Sequence, residues 1–369
     1  MVVAVGTTRG GFLLTSNSSR KTWRKSAPFL KGESVNNFAY SPEDARLYAA
    51  TLTEGMFVSK NLGKTWTPIN KGLNVRKAWT VTVDPRDPSV LYAGTHYGHL
   101  FRSTNGGNGW EEVTGLFTAP KRNEWGIDWA LGTTGLCIHT VRIDPRNSKR
   151  LYIVASGNGP YRSDDRGETW RLMQNGVLDE CPVGARSDAP DIPKNEKTSQ
   201  LEKHLHQVHV CTHKLIISPR SPNLVYQQNH CGVYRSQDGG ERWTDISPSD
   251  SLRHGFAITL VENGSQALYV VPAFQNICKE HNSCVRGELA AYRNKSGGSK
   301  WEKLSKGLPK KIHSCVLRDS MTADPLQPAG LYFGTTTGEV YGSNNGGDTW
   351  SSLVKGAARV QGVVSFTPN

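Results

Sequence analysis

Two Cys-x-His pairs, Cys137-Ile138-His139 and Cys211-Thr212-His213, are the first chemistry-bearing pattern in this sequence. In an extended strand, residues i and i+2 lie on one side, so each pair presents a thiol and an imidazole together. The second pair extends backwards as His206-x-x-His209-x-Cys211-x-His213, and a later stretch adds Gln228-Asn229-His230-Cys231. His and Cys at this density can ligate a borderline-soft cation such as Zn²⁺ or another divalent metal. His139, His213 and His230 are the imidazole set the pattern selects, with His209 and Cys211 as alternates. An open fourth position would bring bound water to a pKa of about 7. The competing reading is a polar, water-filled mouth whose His and Cys groups satisfy one another, because no compact pair such as H-E-x-x-H is present.

Charged groups suggest a second chemistry. Arg318, Lys214 and Arg9 could hold a carboxylate or phosphate through charge-assisted hydrogen bonds, or could simply pair with Asp319 and Glu54. Asp319, Glu54 and His139 are the candidates for acid–base catalysis. Were two carboxylates to act on a glycosidic bond, their separation would set the stereochemistry. Gln228, Asn229 and His96 would add polar substrate contacts. Trp79, Trp125 and Trp129 offer either a sugar-stacking surface or packing beneath a lid.

These residues are scattered along 369 positions, so something must gather them. An internal repeat does so. Segments ending in Trp recur at 16–23 (SNSSRKTW), 59–66 (SKNLGKTW), 103–110 (STNGGNGW), 163–170 (SDDRGETW), 236–243 (SQDGGERW), 294–301 (NKSGGSKW) and 343–350 (SNNGGDTW). Gly suits the positive φ of a tight turn, Asp or Asn can bond nearby amides, and Trp can bury roughly 150–250 Å². Asp165 and Glu168 are therefore read as structural. Upstream of each segment lie three apolar-alternating runs, such as 79–85, 91–95 and 99–103. Each unit reads as four antiparallel strands, A to D, with the Trp-ending segment turning C into D.

The segments resemble the Asp-box, or BNR, motif S-x-D-x-G-x-T-W of sialidases, sortilin-type receptors, xyloglucan-cleaving hydrolases and a photosystem II assembly factor. Over its full length the chain resembles sialidase-like BNR-repeat proteins described as glycosyl hydrolases, including Leu224 to Ser236 and Val316-Leu-Arg-Asp319. The resemblance implies an all-β, seven-bladed β-propeller of four-stranded blades, expected here as a single domain over 1–369. The F/Y-R-I-P segment of true sialidases is missing, so sialic acid is not the expected substrate. What is expected is a hydrolase or lyase acting on a saccharide or small anionic substrate. A non-catalytic scaffold that binds partner proteins is the alternative.

Closure follows from the ends. Val2 to Thr7 and Gly11 to Ser16 read as strands B and C without their own A, and Gln361 to Pro368 has the strand A pattern. Pairing them would leave no long open edge. Insertions at about 111–136, 171–210 and 273–286 all fall on the face holding the starts of the A strands and the B–C loops. Counting back six positions from the Pro ending strand A gives the expected row at the channel mouth: Asn36, Trp79, His139, His213, Asp319 and Gly362, with Ala257 in the sixth blade.

Composition narrows the partners. The formal net charge is +12, but Lys and Arg are scattered without an aromatic–basic stripe, which argues against nucleic acid. No window approaches the ~18 apolar residues of a membrane span. The N-terminus reads as a strand rather than a leader, giving a cytoplasmic expectation. Seven cysteines, an odd number, then read as thiols, although Cys278 and Cys284 could close a small loop.

Overall fold

The computed structural model describes residues 1–122, 125, 136–178, 211–264, 266–273 and 285–368. Trp129, His206, His209, Cys181, Cys278 and Cys284, with most of the three long insertions, lie outside the described residues.

Seven four-stranded antiparallel sheets follow one another around a central channel, with a further two-stranded ribbon pairing Val285–Gly287 with Ile312–Ser314. The A strands of blades II to VII are Val35–Ser41, Ala78–Asp84, Ile138–Asp144, Thr212–Ile217, Gly255–Val261 and Met321–Ala323. Blade I takes its A strand from the other end of the chain. Val360–Phe366 pairs antiparallel with Val2–Thr7, placing Val2 opposite Phe366 and Gly6 opposite Gly362. The expected closure is present. Arg20, in the first C–D turn, seals the same junction by donating two 3.0 Å hydrogen bonds to buried Asp324 of blade VII.

The Trp-ending segments form C–D turns with one hydrogen-bond scheme in five blades. In blade IV, Ser163 Oγ donates to Asp165 Oδ1 (2.7 Å), and the amides of Gly167 and Thr169 donate back to Ser163 Oγ and Asp165 Oδ1. Ser59, Ser103, Ser236 and Ser343 open equivalent sets. Gly106 and Gly107 show why the turn wants glycine, with φ of 68° and 89°. Trp does more than fill its own turn. The indoles of Trp110, Trp243 and Trp301 donate to the carbonyls of Ile69, Met173 and Ile246 in the preceding blade. Each such Trp staples one blade to its neighbour, with the rings of Trp110 and Trp243 buried and that of Trp301 partly so.

One irregularity positions the site. Strand A carries a β-bulge near its start in six blades, and the unpaired extra residue is Asn36, Trp79, His139, His213, Phe256 or Gln361. In blade VII Asp319 holds the equivalent place, bridged to Gly362. A bulge re-aims a side chain and sharpens the local twist. The expected row is thus right in five blades and one residue off in two. Phe256 and Gln361 replace Ala257 and Gly362 because Glu262 stands where a Pro follows strand A in the neighbouring blades, and in blade I one more residue separates the bulge from Pro368. No helix among the described residues is long and apolar enough to cross a membrane.

Candidate functional site at the channel mouth

The bulged row and the B–C loops share one rim of the ring. The C–D turns lie at the other end of the strands. At the rim, Lys214 of blade V donates from Nζ to Asp319 Oδ1 of blade VII, and both side chains are buried. The Arg318 guanidinium lies 5.9 Å from the Trp79 ring and 5.7 Å from the Phe256 ring. Cation–π contacts of this kind hold a cation while leaving its N–H groups for another acceptor.

His139 is fully buried beside these charges. Its Nε2 has no hydrogen-bond partner, while Nδ1 lies 3.3 Å from Thr140 Oγ1. Burial, reinforced by Arg318 and Lys214, holds its pKa well below the ordinary imidazole value, so the ring is neutral near pH 7. Burial likewise lowers the Lys214 ammonium, with Arg142 and Arg318 adding repulsion.

A second cluster borders the first. His213, His230 and His254 pack edge to face, with ring centroids 4.7 to 5.7 Å apart, and Phe256 stacks on His213 at 4.4 Å. His213 Nδ1 is 2.6 Å from the Gly255 carbonyl, which can only accept, so Nδ1 carries the proton. Burial lowers His213 well below its ordinary value and His254 to about 4.

The expected metal trio of His139, His213 and His230 is not assembled. His139 faces Arg318 and Lys214, and its place beside His213 and His230 is taken by His254. Among the described residues no group of three or more His, Cys, Asp and Glu side chains is arranged to hold a metal ion. Cys211 Sγ accepts from the Gly157 amide at 3.3 Å, and Cys137 Sγ lies 3.0 Å from Ser156 Oγ. Cys231 is disulfide-bonded, against the expectation of thiols, while Cys137, Cys211 and Cys315 remain thiols. Spacing along the chain carries no record of which cysteines the closed ring brings together.

Other expected residues divide by burial. Trp79 belongs to the mouth, its indole 3.3 Å from His96 Nδ1, and Tyr97 packs against His96. Burial lowers the His96 pKa, and Lys77 adds to the shift. Gln228 is buried, and its two amide N–H groups are shared among the carbonyls of Asn229, Gly232 and Arg253. Asn229 similarly accepts from the Cys231 amide. Trp125 is buried against Tyr161, to whose hydroxyl it donates. Glu54 and Arg9 are exposed on the B–C loops of blades II and I, without side-chain contacts to Asp319 or Arg318 among the described interactions.

Three residues escaped the sequence reading. His254 stands two places before Phe256, as Cys137 and Cys211 stand before His139 and His213, so moving the row by one residue would have exposed it. Phe256 was lost to the same offset. Arg142 stands where the aligned strands carry Thr82 and Ile216, a charged residue on an inward position.

No family model matches the chain. It is 22% identical over 363 residues, 90% of its length, to a xyloglucanase of a Paenibacillus species. The chain spans only 22 to 32% of the length of the curated relatives it matches. Among solved structures, the GH74 xyloglucanase from Xanthomonas campestris superposes with a TM-score of 0.59 at 18% identity, covering 95% of this chain and 46% of that one. YCF48 from Cyanidioschyzon merolae superposes with a TM-score of 0.57 at 13% identity, over 88% of this chain and 86% of that one. At these identities the shared property is the propeller fold.

Proposed function

We propose that this propeller is a saccharide-cleaving enzyme, a hydrolase or lyase, whose substrate docks at the channel mouth. The observation that carries the reading is a convergence of three groups. These are the buried Asp319 carboxylate, the neutral imidazole of His139, and the Arg318 guanidinium set between two aromatic rings. Bonded to Lys214, Asp319 is suited to activate water or stabilise developing positive charge, not to donate a proton. His139, uncharged and buried, can take up or relay a proton. Arg318 can neutralise an oxygen that gains charge, and Trp79 offers a face for a sugar ring. The likeness to xyloglucanases supports a glycosidic substrate. The recurrent Ser–Asp/Asn turns support kinship with Asp-box propellers. The bonds the turn acids make to their own turn support a structural role for them.

A specific observation favours a second reading, a propeller that binds its saccharide without cleaving it. Of the seven residues in the bulged row, Asp319 is the one carboxylate, and it is engaged in an ion pair.

Incubation with xyloglucan fragments and with uronate-containing oligosaccharides separates the two. New reducing ends, or the ultraviolet absorbance of an unsaturated uronate, would report cleavage. Asp319→Asn and His139→Gln should then each lose roughly 10²–10⁴-fold in kcat, with Glu54→Gln close to wild type. Saturable sugar binding without bond cleavage selects the second reading. Neither binding nor cleavage rejects both.

A further inference from the structure

Below the mouth the channel opens into a cavity of about 310 Å³ to which the A strands of all seven blades contribute. Lys214 lies one residue past the bulge in blade V, and Arg142 three residues past it in blade IV. At about 3.3–3.4 Å per residue, Arg142 sits roughly 7 Å deeper on the neighbouring strand. Its Nη1 donates to the Val141 carbonyl at 3.0 Å, and among the described residues no carboxylate forms an ion pair with it. Burial is the sole cause shifting its pKa, to about 10, so the guanidinium stays charged at neutral pH. Arg142 is also close enough to Lys214 to repel it.

The cavity lining therefore holds two cations and one carboxylate, and that carboxylate, Asp319, is bonded to Lys214. An uncompensated charge held even partly out of water is costly to fold around. The rest of the lining is apolar or carries neutral donors. Tyr40, whose hydroxyl is buried without a hydrogen-bond partner, is among them.

We propose that this lumen is a seat for one oxyanion of the carboxylate or phosphate class, gripped by Arg142 with Lys214 above it and entered past Arg318. The planar guanidinium presents parallel N–H groups that match two oxygens of such an anion. The three cations descend from rim to interior, and the neutral histidines beside them add no competing charge. The seat goes beyond the cleavage reading, because occupancy can be measured without turnover.

The test is calorimetric titration of the full chain with inorganic phosphate, with glucuronate and with glucose as the neutral control. Wild-type protein should bind phosphate or glucuronate saturably and ignore glucose, and Arg142→Gln should weaken binding by roughly 10- to 100-fold. Phosphate alone marks the source as a free ion. Glucuronate bound more tightly marks it as the acidic group of a sugar, and either result supports the seat. Melting curves guard against a misfolded variant. Without anion, Arg142→Gln should melt no lower than wild type, since it removes an unpaired, half-buried charge. No saturable binding of either anion by wild type, or equal binding by the variant, overturns the proposal. Cleavage of a neutral saccharide with an empty seat would leave the enzyme reading intact, and anion binding without cleavage would do the reverse.

Discussion

Lys214 and Asp319 join blade V to blade VII across the channel, past the intervening blade, through an ion pair whose two side chains are only 6% and 7% exposed. Removing one partner from such a pair costs about 3–5 kcal/mol, because the other charge is left buried. The two removals should differ. Asp319→Asn leaves Lys214 facing Arg142 and Arg318, whereas Lys214→Met leaves Asp319 with cationic neighbours. Urea denaturation should therefore find Asp319→Asn the more damaging, and the double variant Lys214→Met/Asp319→Leu should recover much of the loss. Equal single-variant losses would mean that the neighbouring arginines do not act on the pair.

The mouth histidines make stability depend on pH in a definite direction. His139, His213 and His254 have folded-state pKa values below the ordinary value of about 6.5. The unfolded chain then binds protons first as pH falls. Their contribution is complete above about pH 6.5 and is lost as pH falls through the folded-state values, which for His254 is about 4. The slope is at most about 1.4 kcal/mol per pH unit for each imidazole. His254→Gln should reduce that slope by at most about 1.4 kcal/mol per pH unit, read as the difference from wild type so that carboxylate titration cancels. A slope identical in the two proteins would refute the assignment.

Both predictions depend on residues of which the sequence disclosed only some. The blades were legible because each repeat states its own strands and turn, and because Gln361 to Pro368 supplies the strand A that Val2 to Thr7 lacks. The mouth was legible as far as a Pro marks the end of strand A, so Trp79, His139, His213 and Asp319 were found. Where that marker fails or shifts, Phe256 and His254 were passed over. Arg142 went unremarked because a single charge in a strand carries no local signal that it faces a lumen. Gln228 reads from the sequence as a polar group at the mouth, with nothing to say what its amide bonds. Only the folded loop shows that its amide is already engaged by three carbonyls.

The turn acids should answer differently from Asp319. Asp165 accepts from the Thr169 amide, from Ser163 Oγ and from Thr169 Oγ1, and these bonds hold its carboxyl near a pKa of about 2. Asp165→Ala should lower stability by about 1–2 kcal/mol while leaving anion binding and any cleavage at wild-type levels. Asp165→Asn should lose less, because Asn61, Asn105 and Asn345 accept the same turn amide in other blades. A drop in activity without a drop in stability would place chemistry at the turn face.

Ring closure gives the largest expected effect. Val360–Phe366 supplies the inner strand of blade I, and Val360 and Val363 are essentially buried. Deleting residues 360–369 would bare that core and leave Val2–Thr7 as an open edge beside the channel, a template for intermolecular pairing. The loss should consume most of the ~5–15 kcal/mol that holds a typical domain. Arg20→Met, by contrast, breaks the latch and spares the strand. Asp324 would keep the Tyr332 hydroxyl and the Leu326 and Gly330 amides as donors, so the cost should fall near or below the low end of about 3–5 kcal/mol. Size-exclusion chromatography with circular dichroism melts should find Arg20→Met monodisperse and melting below wild type. The truncated chain should be aggregated or without a cooperative transition. If it instead melted cooperatively at the wild-type temperature, the terminal strand would not be what closes the ring.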